Sequence, residues 1–185
     1  MSTEHVTVVE LVAAFQSRAA RVAVGASTVR GRGNAGVVGA SRSFLRTLDL
    51  TAFGHAGMER FIASLDKTTA ELREALPRNA RSWGLARKVL NIFLRDCLYT
   101  TYLDGAFGLR TNEELFELPL DSITAVHLKR LAGRGVLPRW PGVRHLTAPV
   151  SAVFQEAAAG EASRRGMARV HLDAVWWSVG RDHLD

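Results

Sequence analysis

The chain predicts an all-α fold, and three observations carry that expectation. Apolar residues recur with a period near 3.6 in most segments. Helix signals punctuate those segments where they should begin and end. Apolar residues make up 47% and charged residues 23%, the balance of a chain that folds around a core rather than one that stays disordered. Helices are expected over residues 6–20, 37–48 and 56–76, the last ended by Pro77, which lacks an amide proton and clashes with a preceding turn. The next is expected over 84–103. A helix over 111–117 is headed by the T-x-x-E box of Thr111 and Glu114, and one over 122–132 follows Asp121 and is closed by Gly133 and Gly135. Helices over 149–165 and 171–182 complete the set. With 185 residues the chain is expected to form a single compact domain, in which helices of about 1–55 pack on a core of about 56–185. No internal repeat is visible.

Charge and composition narrow the partners. The net charge is +6 and the isoelectric point about 10.4, which favours a polyanion through counterion release. Many basic proteins bind no nucleic acid, so charge alone does not decide. The longest apolar runs fall well short of the ~20 residues that cross a bilayer, and the N-terminus lacks the pattern of a signal peptide, so a cytoplasmic location is expected. The single cysteine, Cys97, sits in an apolar helical pattern and reads as core packing. His5, His55, His127, His171 and His183 show no ligand spacing and none is assigned to a metal, and no cofactor is expected.

Gly31-Arg32-Gly33-Asn34-Ala35-Gly36 spells G-x-G-x-x-G. A dinucleotide-binding reading needs a strand before it, further βαβ units and an acid about 20 residues on, whereas helical patterns follow and Asp49 arrives too early. A loop carrying Arg30, Arg32 and Arg42 is expected instead, either touching a phosphate backbone or solvated.

Lys88 sits one turn into the helix WGLARKVLNIF, beside Leu85 and Ile92, at the margin of an apolar stripe through Val89 and Phe93. Removing water from an ammonium disfavours its charged form and frees the amine as a nucleophile near neutral pH. The alternative is a lysine whose stem covers apolar surface while its head reaches water. Asp96 falls inside the same stripe, where an arginine partner is expected to satisfy it.

Three short motifs bear on this choice. Gly84-Leu85-Ala86-Arg87-Lys88-Val89-Leu90-Asn91 resembles the hairpin of the helix-hairpin-helix DNA glycosylases, G-x-G-R-K-x-x-N, with Ala86 in place of the second glycine. The helix ending at Pro77 matches the first helix of that hairpin and residues 78–83 match its connection, which is longer here. Leu118-Pro119-Leu120-Asp121-Ser122 resembles the acidic loop that follows the lysine helix, and its 33-residue distance from Lys88 is similar to that of the archaeal 8-oxoguanine DNA glycosylase branch. Asp121 also reads as an N-cap. Near the end, Leu172-Asp173-Ala174-Val175-Trp176-Trp177 resembles the L-D-x-x-x-W helix lining the base pocket of that branch. Asp173 and Trp177, four apart, share a helical face. In the other reading Asp173 is a cap and the two tryptophans are core.

The resemblance spans about residues 60–182 and implies two packed helical layers or subdomains with a helix-hairpin-helix element and a cleft between them. It implies a monomer that acts on double-stranded DNA near the nucleoid, in repair or in anti-phage defence, flipping out and excising a modified base. Lys88 would attack the sugar, giving Schiff-base lyase chemistry, and Asp121 would stabilise the developing positive charge. Asp173 and Trp177 would line the base pocket, and Gly84, Arg87, Arg32 and Arg42 would meet DNA. Gln16 and Asn34 are candidates for the pocket wall. Two other readings stay open. A non-catalytic DNA-binding module would use the same hairpin with Lys88 on a phosphate, and a small ribonuclease would use the Arg139-to-His145 spacing.

Overall fold

Helix α1, Val8–Ala23, starts where Thr7 and Glu10 cap each other: the Glu10 amide donates to the Thr7 hydroxyl at 3.2 Å and the Thr7 amide to the Glu10 carboxylate at 2.8 Å. This is a computed structural model that describes residues 7–25, 28–29 and 36–179, with the side chains of 177–179 excepted. Gly36, at φ 92°, opens α2, Val37–Leu45. Residues 31–35 of the glycine-rich segment lie outside the described residues. Helix α3, Met58–Ala75, ends because Leu76 precedes a proline and must turn extended. A short 3-10 turn at Arg78–Ala80 leads to α4, Trp83–Leu98, whose N-cap Ser82 accepts from the Leu85 amide. Then follow α5, Thr101–Phe107, a 3-10 stretch at Leu109–Leu115, α6, Ser122–Ala132, a 3-10 turn at Val143–His145, α7, Ala148–Arg164, and α8, Leu172–Val179. The described residues contain no strand, and the fold is all-α.

Two expected elements differ. The helix expected over 84–103 breaks at Thr100, which turns extended while its hydroxyl donates to the Asp96 carbonyl at 2.8 Å, closing α4. The helix expected over 111–117 is a kinked 3-10 stretch because Asn112 leaves helical geometry. Its side-chain amide donates to the carbonyls of Phe53, Gly54 and Ala56, tying this stretch to the loop before α3.

Helix α4 is the axis of the molecule. Its packing against α3 and α1 forms one core, in which Phe61 meets Phe53 and Phe116 edge-on at 5.6 and 5.1 Å. Fully burying a side chain such as Phe93 contributes roughly 2–3 kcal/mol. A second core joins α6, α7 and α8 through Leu128, Phe154, Ala158, Leu172 and Trp176. The two meet at the start of α4, where a Cβ on Gly84 would stand 2.2 Å from the Val143 carbonyl oxygen. Only glycine admits that approach.

Candidate functional site

Lys88, Ile92, Arg95 and Tyr99 stand three or four residues apart and form one stripe along α4. That stripe faces the loop before α6 and the first turn of α8. Between them lies a cavity of about 410 Å³ whose wall includes Lys88, Arg95, Asp96, Tyr99, Asp121 and Asp173. Val22 and Ala23 at the end of α1 also line it. Lys88 Nζ is 3.6 Å from Asp121 Oδ2 and donates to the Thr28 carbonyl at 3.4 Å. The lysine side chain is only 12% exposed, so its ammonium is largely shielded from water.

Asp121 serves two neighbours. Oδ1 accepts from the amides of Ile123 and Thr124 at 2.9 and 3.0 Å, capping α6, and the Asp121 amide donates back to the Thr124 hydroxyl. Oδ2 is left to face Lys88.

Arg95 organises the deeper wall. It donates to Asp96 Oδ1 at 2.8 and 3.0 Å and pairs with Asp173 on α8. Asp173 is 5% exposed, and burial pushes its carboxyl above the usual range, with Arg95 opposing. Burial likewise raises Asp96, against the pull of Arg95. Among the described residues Asp96 Oδ2 is buried without a hydrogen-bond partner. Desolvation works against the Arg95 charge, but Asp96 and Asp173 hold its pKa above the ordinary arginine value. At the rim, Tyr99 Oη lies 2.9 Å from His171 Nδ1, and His171 Nε2 lies 2.9 Å from Glu113. Formal charges on the wall are two cationic and three anionic, so the cavity is net acidic.

The sequence candidates divide. Lys88, Asp121 and Asp173 come together at the cavity. Trp177 lies on α8, but its side chain is outside the described residues, as are Arg32 and Asn34 altogether. Three residues expected to meet DNA are placed otherwise. Arg87 is 6% exposed and binds Glu117 through two nitrogens at 2.8 and 2.9 Å, with Asp66 and Thr69 taking a third. A helix position one residue from Lys88 points about 100° away, here into the protein. Gly84 is buried under the Val143–His145 turn rather than open to a phosphate. Arg42 donates to the Val24 and Arg21 carbonyls at 2.9 and 3.1 Å, closing the end of α1. Gln16 binds the Leu45 and Leu48 carbonyls and joins α1 to α2. Trp176 is core, stacked on His127 at 5.1 Å.

Two residues escaped the sequence reading. Glu117 holds both Arg87 and Asn91, the latter donating at 2.9 Å, so two of the motif's polar residues share one buried carboxylate. Arg95 could have been found, since it lies seven residues beyond Lys88 on the same face.

Comparison with family models, with curated proteins and with solved structures gives no match. Chemically, the cavity brings a shielded amine, a carboxylate within proton-transfer reach through a small movement, and an arginine-bound acid into one space. Its volume falls within the ~300–1,000 Å³ of small-molecule sites.

Proposed function

We propose that this chain is a DNA glycosylase of the helix-hairpin-helix kind, excising an extruded modified base and able to form a Schiff base with the sugar. One observation supports this above the others: Lys88 and Asp121, 33 residues apart and on two of the three motifs, face each other at 3.6 Å on the wall of one cavity. Asp173, from the third motif, lines the same space. A base inside a duplex cannot be reached at its glycosidic bond, so the nucleotide swings out, at a cost of a few kcal/mol.

In the proposed reaction Asp121 takes a proton from the Lys88 ammonium. The free amine attacks C1′, the bond from C1′ to the base nitrogen breaks, and the base leaves with the electron pair and then gains a proton. The attached nitrogen then gives up a second proton, the C1′–O4′ bond opens with a proton taken up at O4′, and the iminium results. Positive charge grows on the sugar as the base departs, and the net acidic wall stabilises it. Oxidised guanine and a hypermodified cytosine of phage type are the two base classes to try first.

The test is incubation of the full chain with duplexes carrying each modified base and with an unmodified duplex, assayed for abasic sites and for borohydride-trapped adduct. Base release confined to one modified duplex, with an adduct that Lys88→Gln loses, is the expected result. Binding without release from any duplex makes the protein a non-catalytic DNA-binding module. Metal-free cleavage of RNA with no action on duplex DNA instead favours the ribonuclease reading, in which Arg139 and His145 are both exposed.

A further inference from the structure

The net acidic cavity repels phosphates, and the residues of the hairpin motif that would hold them, Gly84 and Arg87, are buried. A duplex therefore needs a different cationic face. Between Asp121 and Glu156 the chain carries Lys129, Arg130, Arg134, Arg139 and Arg144 and no acidic residue. This stretch therefore carries +5, and the rest of the chain, with 19 basic and 18 acidic residues, carries only +1 of the net +6. Arg130, Arg134, Arg139 and Arg144 are exposed, and among the described residues none of the five makes an ion pair. This contrasts with Arg73, Arg81, Arg87, Arg95 and Arg110, each held by a carboxylate. Cations kept free of acidic neighbours retain their full attraction for a polyanion.

One end of this segment is held against α4, the helix that carries Lys88, and the other continues from α6. At one end, Lys129 lies on the last turn of α6, about 12 Å along that helix from the wall residue Asp121. At the other, the Val143–His145 turn presses on Gly84. Gly84 and Lys88 are four apart and share one face of α4, so the turn lies about 6 Å along the helix from Lys88. Glycines at 133, 135 and 142, all with positive φ, shape the loops between.

We propose that the segment from Lys129 to Arg144 is the phosphate-binding face of this protein, seating the duplex backbone so that an extruded nucleotide reaches Lys88. The proposal rests on the duplex reading above, but its test does not require catalysis. Binding of the full chain to a fluorescein-labelled unmodified duplex is followed by anisotropy over a range of salt concentrations. Each phosphate contact contributes about 0.9 to the slope of log K against log salt, so Arg134→Gln/Arg139→Gln/Arg144→Gln lowers the slope by about 2.7. Arg18→Gln/Arg21→Gln/Arg46→Gln, which removes three exposed cations elsewhere, leaves it unchanged. Should the first triple variant fold poorly, Arg134→Gln and Arg139→Gln singly each lower the slope by about 0.9.

A wild-type slope in the segment variants overturns the proposal, as does a chain that binds no duplex. Binding to phosphatidylserine vesicles but not to duplex, lost in the same variants, assigns the face to a lipid surface and also overturns it. Slope loss without base release from any modified duplex sinks the catalytic reading and leaves this face standing. Base release with an unaltered slope does the reverse.

Discussion

Asp121 meets Lys88 with one carboxylate oxygen, 3.6 Å from the amine, while its other oxygen caps α6. The division lets the cap and the proposed chemistry be separated by substitution. Asparagine keeps an oxygen for the cap and is itself a preferred N-cap residue, but it removes the negative charge facing the lysine. Asp121→Asn should therefore melt close to wild type and lose base release. Asp121→Ala should lose both, with about 1 kcal/mol less stability. Thermal melts run beside a base-release assay check this, and full release by Asp121→Asn removes the carboxylate from the chemistry.

The Arg87–Glu117 pair makes the second prediction. Removing one partner of a buried pair strands the other charge, at a cost of about 3–5 kcal/mol. Arg87→Leu should be strongly destabilised in urea unfolding, and Arg87→Leu/Glu117→Leu should recover much of the loss. If Arg87→Leu instead keeps its stability and weakens duplex binding, the inward placement of this arginine is mistaken.

Gly84→Ala tests the junction of the two cores. The added methyl would lie 2.2 Å from the Val143 carbonyl oxygen and 2.7 Å from Leu146 Cβ, and backbone must shift to admit it. A loss of roughly 1–3 kcal/mol is expected, the usual cost of overpacking. An unchanged urea midpoint would show that the turn does not press on α4.

Two carboxylates should push the stability profile in opposite directions as pH falls. Burial would raise Glu117, but bonds from Arg87, the Arg87 charge and the Asn91 amide hold its pKa below the usual glutamate value. A depressed folded pKa gives stability that is present above the unfolded value of about 4.3 and lost as pH falls through the folded one. Asp96 is shifted the other way by burial, so its contribution is lost as pH rises from about 3.9 through its folded value. Urea midpoints followed across pH should show Glu117→Gln flattening the acid limb. Asp96→Asn should fare better relative to wild type at neutral pH than in acid, because it removes the desolvation cost of a carboxylate whose Oδ2 has no hydrogen-bond partner.

The sequence alone determined most of the helices, because their signals are local. Apolar period, Pro77 and the Asp121 cap act within a few residues, and α6 spans the expected 122–132. It also singled out Lys88, Asp121 and Asp173, through short motifs carried on chemistry-bearing residues. The tertiary structure decided whatever depended on a distant partner. Asn112 left helical geometry for carbonyls near 54, and Arg87 turned inward for Glu117, 30 residues on. Arg95 became the hub of the cavity only when α8 brought Asp173 to it, 78 residues away. A periodic pattern states which face of a helix is buried. Which charge waits on the other side depends on how the chain returns, and that is set by the packing of the two cores against α4.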